Sequence, residues 1–271
     1  MKSFWAAAVL IIGLIVLSVA LGRGSASAVN LVGSTSIQPF AEMLAQEFNR
    51  EHPDCLVEVQ GGGSTQGLRA VDNSMTDIGT CSRALKKEEE EDAAKNYRTV
   101  IIARDGLAIV THPGNPVTNL TIDQIRQMFE GRGITNWRQV GGKDAPVRLI
   151  TREEGSGTRE AFMQKVMDKS RISGKALTQG SNGAVKELVK HDPCAIGYMS
   201  LGLVHGELNM VHVDGVAPTV AEVTAGRYPL VRPFLFVTKG PPGEKAQRFI
   251  DFILSPRGQA MLEREGLVTA R

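Results

Sequence analysis

The segment Thr151-Arg152-Glu153-Glu154-Gly155-Ser156-Gly157-Thr158 follows an apolar run and opens a helical pattern. Two further clusters are built in the same way, Gly33-Ser34-Thr35-Ser36 and Gln60-Gly61-Gly62-Gly63-Ser64-Thr65-Gln66-Gly67. A helix start exposes free backbone N–H groups and about half a positive charge, so hydroxyls and glycines gathered there favour an anion. Each turn has Ser or Thr at the expected cap, and Arg152 precedes Ser156 closely. We therefore expect the three turns to bind one small oxyanion.

The donor types in these turns match the needs of a tetrahedral oxyanion. Such an ion has about a dozen lone-pair directions and leaves water only when donors meet most of them. Hydroxyls, turn amides and a forked guanidinium supply those donors. Each hydrogen bond to a charged group contributes about 1.5–3 kcal/mol. Micromolar affinity, about −8 kcal/mol, is therefore within reach of this set.

The first 28 residues are typical of a secretory signal peptide. Lys2 gives a basic start, an apolar run covers residues 4–20, and Ala26 and Ala28 form a small-x-small cleavage site. The apolar run is long for a signal peptide, so an uncleaved anchor is the alternative. No cysteine lies directly after the run, which argues against a lipid anchor. Beyond it, the sequence has no stretch long and apolar enough to predict a membrane span.

The charge balance of the mature chain argues against nucleic-acid binding. Residues 1–28 contain two basic residues, Lys2 and Arg23, and no acidic one, so of 31 basic residues 29 remain, against 29 acidic ones. A chain near neutrality lacks the diffuse positive surface that binds polyanions. Anion selectivity must therefore come from a local site.

Cysteine and histidine usage predicts neither a disulfide framework nor a metal centre. The three cysteines, Cys55, Cys81 and Cys194, are sparse and odd in number. Cys55 precedes one predicted strand and Cys81 follows a parallel one, which places them at opposite ends of the sheet. We expect three free thiols. The five histidines show no ligand spacing with cysteines or carboxylates, so we predict no metal and no cofactor.

Strand-like and helical segments alternate along the mature chain, with separate strand candidates at 100–103 and 106–111, and this pattern predicts an α/β fold with largely parallel sheets. The run 112–116, His-Pro-Gly-Asn-Pro, predicts a domain boundary. The Pro-containing run 228–237 predicts an extended segment at a sheet edge or between domains. We expect lobe I at 29–112 and 228–271, lobe II at 113–227, and the ligand between them.

The same serines could in principle serve nucleophilic catalysis or nucleotide binding. The sequence contains neither a G-x-S-x-G elbow nor a G-x-x-x-x-G-K-[ST] loop, and no histidine is tied to Ser64 or Ser156 by spacing. Glu153 and Glu154 are adjacent on an extended segment and point to opposite sides, so they do not form an acid–base pair. We expect one of them to steady Arg152. A binding protein is favoured over an enzyme.

These motifs together resemble the substrate-binding proteins of phosphate ABC transporters, a branch of the periplasmic binding proteins of type II topology. The resemblance covers nearly the whole mature chain in order. It is carried by residues 33–39, 61–67, 77–83 and 151–160, with 195–198 and 228–237 in support. The Arg-x-x-Gly-Ser-Gly-Thr element is the most specific part. The resemblance implies a monomeric, two-lobed periplasmic protein that buries inorganic phosphate between its lobes and delivers it to a membrane permease.

The resemblance also implies a ligand-binding set. Thr35, Ser36 and Ser64 would donate from the first two helix starts, and Arg152 would pair with the anion's charge. Ser156, Gly157 and Thr158 would close over the anion from the other lobe. These and two further candidates make up the set, which is Thr35, Ser36, Ser64, Ser82, Arg83, Arg152, Ser156, Gly157 and Thr158.

One departure from the family pattern bears on selectivity. Some members have an aspartate where this chain has Ser82, and that carboxylate accepts the proton that phosphate carries. Here Ser82 is followed by Arg83, which would add a second cation. Three alternatives follow: a binding protein for another oxoanion such as sulfate or molybdate, a secreted phosphate-ester hydrolase, and a periplasmic sensor that docks on a signalling receptor.

Overall fold

A computed structural model describes residues 28–92 and 94–270. The predicted signal peptide lies outside the described residues apart from Ala28. No helix within the described part is both long enough and apolar enough to cross a bilayer. The strands in that part are β1 (Val29–Gly33), β2 (Val57–Gly61), β3 (Ile78–Cys81), β4 (Tyr97–Thr111), β5 (Asn119–Leu120), β6 (Arg148–Arg152), β7 (Leu177–Gln179), β8 (Ala195–Ser200), β9 (Asn209–Val213), β10 (Val231–Lys239) and β11 (Val268–Thr269).

Helices follow most of these strands, as the alternating pattern predicts. The α-helices are α1 (Gln38–Glu51), α2 (Ser64–Asp72), α3 (Lys87–Glu91), α4 (Ile122–Phe129), α5 (Gly157–Phe162), α6 (Asn182–His191), α7 (Val220–Thr224), α8 (Glu244–Leu254) and α9 (Pro256–Arg264). A π-helical turn, Met163–Met167, continues α5. Two 3₁₀ turns cover Trp137–Val140 and Leu201–Leu203. Helix α4 begins with a capping box between Thr121 and Gln124.

The sheet order is β2-β1-β3-β10-β4-β8-β6-β7. Strands β1, β2 and β3 pair in parallel, as do β6, β7 and β8. Strand β10 is antiparallel to both β3 and β4, and β4 is antiparallel to β8. The α/β prediction is confirmed. Parallel strands dominate each half of the sheet, and β4 and β10 join the halves.

Strand β4 is one continuous strand of 15 residues, where the sequence predicts two separate ones over 100–103 and 106–111. Two charged residues, Arg104 and Asp105, lie between those runs. Asp105 is instead buried and bonded to Arg232 on β10, so the strand continues through it. Because β4 spans both halves of the sheet, it carries its central residues to the junction between them.

Strand β10 lies between β3 and β4, in the interior of the sheet, so the edge alternative for the run 228–237 is wrong. Pro233 pairs with Arg104 on β4, whereas β3 pairs only with the later residues from Leu235 to Val237. At Pro233 the strand therefore has one neighbour. The missing proline N–H costs no ladder hydrogen bond on the open side.

Two large apolar clusters form the core. One is built from buried residues of the stretch 107–230, among them Trp137, Phe162 and Tyr198. The other combines residues before 104 with residues after 233, among them Phe48, Phe234 and Phe249. The two clusters correspond to two halves of the fold. Leu107, Tyr228 and Leu230, which the predicted boundaries assign to lobe I, pack in the first cluster, and the lobe boundaries stay a proposal.

Candidate functional site

Backbone hydrogen bonds join the three Gly/Ser/Thr turns to one another. The Gly63 N–H donates to the Gly33 carbonyl across 2.8 Å, which links the second turn to the first. The Thr65 N–H donates to the Gly155 carbonyl across 3.0 Å, which links the second turn to the third. Segments that lie far apart in the sequence therefore meet at one place, where the carboxyl ends of β1, β2 and β6 approach each other.

Side chains from the turns make direct contacts across this junction. The hydroxyls of Ser36 and Thr158 lie 2.8 Å apart, and Arg152 Nη2 donates to Thr35 Oγ1 across 2.9 Å. Within the first half of the fold, the Ser82 N–H donates to Ser64 Oγ across 3.0 Å. The predicted residues in this cluster are almost fully buried: Ser36, Ser64, Ser82, Arg152, Ser156 and Thr158.

Gly157 is the point of closest approach between the second and third turns. A Cβ atom at this position would overlap Ser64 Oγ and lie 2.6 Å from Ser82 Oγ. Glycine is therefore required by space rather than by backbone conformation. Gly63, in contrast, has a φ of +97°, which favours glycine because other residues rarely adopt it.

Arg152 is buried, and its guanidinium is only partly satisfied by protein groups. Its Nε and Nη2 donate to the two carboxylate oxygens of Glu153, each across 2.9 Å. This confirms that a neighbouring glutamate steadies the arginine. Within the described part of the chain, the buried Nη1 has no hydrogen-bond partner. A buried guanidinium nitrogen without a partner is costly, and an anion beside the Thr35 hydroxyl would satisfy it.

The caps differ from the sequence prediction. Only the third turn has a side-chain cap at its helix start, where Ser156 Oγ accepts from the Arg159 N–H. Helix α1 has Ile37 at its N-cap and α2 has Gly63, and neither makes a side-chain cap bond. In the first turn, Ser34 Oγ instead accepts from the Ser36 N–H. The turn covers residues 35–37 and the N-cap position falls at its end, so Ser34 satisfies this amide from before the turn.

Arg83 is buried but directed toward a different set of partners. Its guanidinium forms ion pairs with Glu89, at 2.7 Å, and with Glu160. Burial lowers the pKa of Arg83, but the hydrogen bonds and charges of these carboxylates outweigh it, so the pKa is raised. Arg83 therefore joins α3 to α5 in this structure, and its role as a second cation for the ligand remains a prediction.

Three residues that the sequence analysis did not select lie among the predicted ones. Arg232 Nη1 donates to Thr158 Oγ1 across 2.8 Å, and Asn182 Nδ2 donates to Ser36 Oγ across 2.9 Å. Arg232 is also paired with Asp105 at 2.9 Å, and both side chains are almost fully buried. The signal that could have identified Asp105 and Arg232 is a charge inside each of two largely apolar strand patterns, because a charge buried in a strand needs a partner. This signal does not extend to Asn182, which is uncharged and begins helix α6.

A cavity of about 520 Å³ opens at the outer edge of the cluster, where α2 faces the 154–160 segment. Its lining includes three basic side chains, those of Arg69, Lys86 and Arg159, and two acidic ones, those of Glu154 and Glu160. Three basic against two acidic side chains give the mouth an excess of one positive formal charge. Such a charge attracts anions toward the buried cluster.

The cysteines are free, as expected: Cys55 and Cys81 are buried and Cys194 is partly exposed. Burial raises the pKa of the Cys81 thiol, which bonds to the Arg83 carbonyl. Within residues 28–92 and 94–270, no group of three or more His, Cys, Asp or Glu side chains is placed to hold a metal ion.

A mixed α/β sheet in two halves, with polar strand-to-helix turns meeting where the halves join, defines a solute-binding protein of the two-lobed periplasmic type. Residues 19–257 match the family model described as the PBP superfamily domain, and the chain belongs to this superfamily.

Relatives and solved structures whose names state a function agree with this assignment. The chain is 32% identical over 238 residues to the phosphate-binding protein PstS of Bacillus subtilis, covering 87% of this chain and 78% of the relative. A Clostridium perfringens structure, assigned to the phosphate ABC transporter substrate-binding proteins and holding phosphate, is 38% identical with a TM-score of 0.86 and covers 90% of this chain and 100% of that one. An ABC-type phosphate transport receptor from Vibrio cholerae is 34% identical with a TM-score of 0.75, over 89% of this chain and 99% of that one.

Proposed function

We propose that this protein captures inorganic phosphate for an ABC importer. The observation that carries the proposal is Arg152, whose buried Nη1 has no hydrogen-bond partner among the described residues and whose Nη2 reaches the hydroxyl of Thr35. A buried cation beside clustered hydroxyls is chemically suited to an oxyanion. Relatives named as phosphate-binding proteins, and a similar structure with bound phosphate, identify phosphate as the anion.

The proposed ligand set is part of the one expected from the sequence, which also includes Ser36, Ser82 and Arg83. Arg152 neutralises charge, while Thr35, Ser64, Ser156 and Thr158 donate from their hydroxyls, with the Gly157 amide at the start of α5. The contacts between turns support this set, because they bring these donors from both halves of the fold to one buried cluster. Closure of the halves around the ligand removes water and strengthens each hydrogen bond.

The cellular setting follows from the family and from residues 1–28. We propose export through the signal peptide to the periplasm, a monomeric protein, and delivery of phosphate to the permease subunits of an ABC transporter. The membership of phosphate-binding transport proteins in the superfamily supports a binding role rather than an enzymatic one.

Isothermal titration calorimetry with phosphate, sulfate and molybdate tests the function. We expect phosphate to bind with micromolar or tighter affinity, about −8 kcal/mol or better, and more tightly than the other two anions. A panel in which nothing binds better than millimolar would contradict a capture role. Preferential binding of sulfate or molybdate would support the alternative oxoanion, and turnover of a chromogenic phosphate ester would support a hydrolase.

A further inference from the structure

The Arg232–Asp105 pair lies at the centre of a closed hydrogen-bond network. Arg232 donates from Nε and Nη2 to Asp105 Oδ2, across 3.0 and 2.9 Å. The other carboxylate oxygen, Oδ1, accepts from Ser200 Oγ across 2.9 Å. The guanidinium also lies over the Phe234 ring, 5.3 Å from its centroid. Arg232 is therefore fixed on several sides, and its remaining N–H groups point in defined directions.

Those remaining N–H groups reach the hydroxyls of the ligand cluster. Nη1 donates to Thr158 Oγ1 across 2.8 Å, and Nη2 donates to Ser36 Oγ across 3.2 Å. An arginine can only donate hydrogen bonds, so each of these contacts occupies an acceptor lone pair of a hydroxyl.

Asn182 occupies the second lone pair of Ser36. Its Oδ1 accepts from the Ser200 N–H across 3.1 Å, which fixes the orientation of the amide and directs Nδ2 toward Ser36. A hydroxyl oxygen has two acceptor sites and one hydrogen. With both sites of Ser36 filled by Arg232 and Asn182, the Ser36 hydrogen must be donated.

The direction of the Ser36–Thr158 bond follows. The hydroxyl of Thr158, 2.8 Å away, receives the Ser36 hydrogen and the Arg232 Nη1 hydrogen, so both of its acceptor sites are filled as well. Its own hydrogen has no acceptor among the described residues. Thr158 therefore ends the network as a donor that cannot accept.

We propose that Arg232, held by Asp105, is a positioning residue that orients a hydrogen-bond relay from Ser36 to Thr158, so that Thr158 always presents its hydrogen to an unprotonated oxygen of the bound oxyanion. The proposal deepens the proposed function and rests on it. It also separates the roles of two predicted site residues: Thr158 contacts the anion, and Ser36 acts through Thr158.

Two double-mutant cycles on phosphate affinity test the relay. Thr158→Val removes the terminal donor at nearly constant shape, and we expect about a 10- to 100-fold loss of affinity, whereas Thr158→Ser keeps the donor and should bind almost as tightly as the parent protein. Ser36→Ala should cost several-fold in the parent background and nothing further beside Thr158→Val. Arg232→Lys, which keeps the charge next to Asp105, should behave in the same way.

The relay would be overturned if the losses of phosphate affinity in the single variants added in full in the double variants, because Ser36 or Arg232 would then act independently of Thr158. Thermal melting of each variant identifies misfolding, and Ser36→Ala carries the test if Arg232→Lys does not fold. Failure of the parent protein to bind phosphate would instead overturn the proposed function and this proposal with it.

A neutron structure of the deuterium-exchanged protein without ligand shows the positions of the hydroxyl deuterium atoms, and so tests the relay independently of phosphate binding. We expect the Ser36 deuterium on the line to Thr158 Oγ1. A Thr158 deuterium directed at Ser36 would overturn the proposal.

Discussion

Gly157 packs directly against Ser64, so that even a methyl group at position 157 would overlap the serine hydroxyl. The two residues belong to different halves of the fold and different helix starts, α5 and α2. Their close approach means that the turns fit together only when residue 157 has no side chain. Closure of the proposed phosphate site therefore depends on a glycine at this position.

Gly157→Ala should hold the two turns apart while each half of the fold keeps its own core. We expect phosphate affinity to fall by about 10- to 100-fold, the cost of overpacking a tight contact. Calorimetry measures the loss, and circular dichroism checks the fold. Gly174→Ala is the matched control, because a Cβ there meets nothing within 4 Å. Equal affinities for the two variants would contradict the role of this contact.

Arg152→Lys should weaken phosphate binding by about 10- to 100-fold, since a lysine keeps the charge but loses the fork that serves Glu153, Thr35 and the ligand together. The binding enthalpy that calorimetry measures should become less favourable. The exposed Arg171→Lys serves as the control and should bind as the parent protein does. An unchanged affinity of the Arg152 variant would show that this guanidinium does not contact the ligand.

Acid should remove a stabilising contribution of Glu89. Burial raises the pKa of this carboxyl, but hydrogen bonds from Arg83 and from the Lys86 backbone outweigh it and lower the pKa below the ordinary value. A carboxyl whose folded pKa is depressed stabilises the fold above its unfolded pKa, and the stabilisation disappears as pH falls through the folded pKa. The difference in melting temperature between the parent protein and Glu89→Gln should therefore be present at neutral pH, begin to shrink near the ordinary glutamate pKa of about 4.3, and disappear at lower pH, as the pH falls through the depressed folded pKa. Glu88→Gln, at an exposed position on the same helix, is the matched control, and a difference that persists in acid for the Glu89 variant would contradict the assignment.

Thiol reactivity should distinguish the cysteines. Burial raises the pKa of Cys55 and of Cys81, so neither should react readily in the native protein. Cys194 is partly exposed and should react first. We expect one thiol to be labelled in the native state and three after unfolding, with the native reaction lost in Cys194→Ser. Rapid native labelling of two or more thiols would show that the sheet around Cys55 or Cys81 opens.

Phosphate should associate more slowly when the cavity mouth loses its positive excess. Arg69 is exposed and lines the cavity between α2 and the 154–160 segment. Arg69→Glu should lower the association rate several-fold at low ionic strength and weaken its salt dependence, with a smaller effect on dissociation. Stopped-flow fluorescence measures both rates. Arg138→Glu, which lies outside this cavity, is the control. An equal reduction of the association rate by Arg138→Glu would show that the net charge of the protein, and not the charge at the cavity, sets the rate.

The sequence was sufficient to predict the elements that form the site, because each turn directly follows an apolar strand and precedes a helix. Parallel strands bring the turns after β1 and β2 to one edge of a sheet, so the proximity of Thr35 and Ser64 follows from local pattern and sheet topology. The approach of Ser156 from the other half depends on how β4 and β10 join the two halves, which local pattern does not determine. The pairing of Glu153 with Arg152 was also predictable, since the residues are neighbours.

Arg232 and Asp105 were beyond this reasoning because their pairing depends on β10 lying beside β4, a long-range register that local pattern does not determine. The same limit applies to Arg83, whose direction is decided by Glu89 and Glu160 on two other helices. The pattern divides β4 for a related reason, because the charge of Asp105 is compatible with a buried strand only when it is paired with Arg232 on β10.

A crystal structure of the protein grown with phosphate tests the central claim most directly. The account predicts one phosphate in the buried cluster, with its oxygens within hydrogen-bond distance of Arg152 Nη1 and of the hydroxyls of Ser64 and Thr158. Phosphate bound elsewhere, with Arg152 Nη1 directed away from it, would contradict the account.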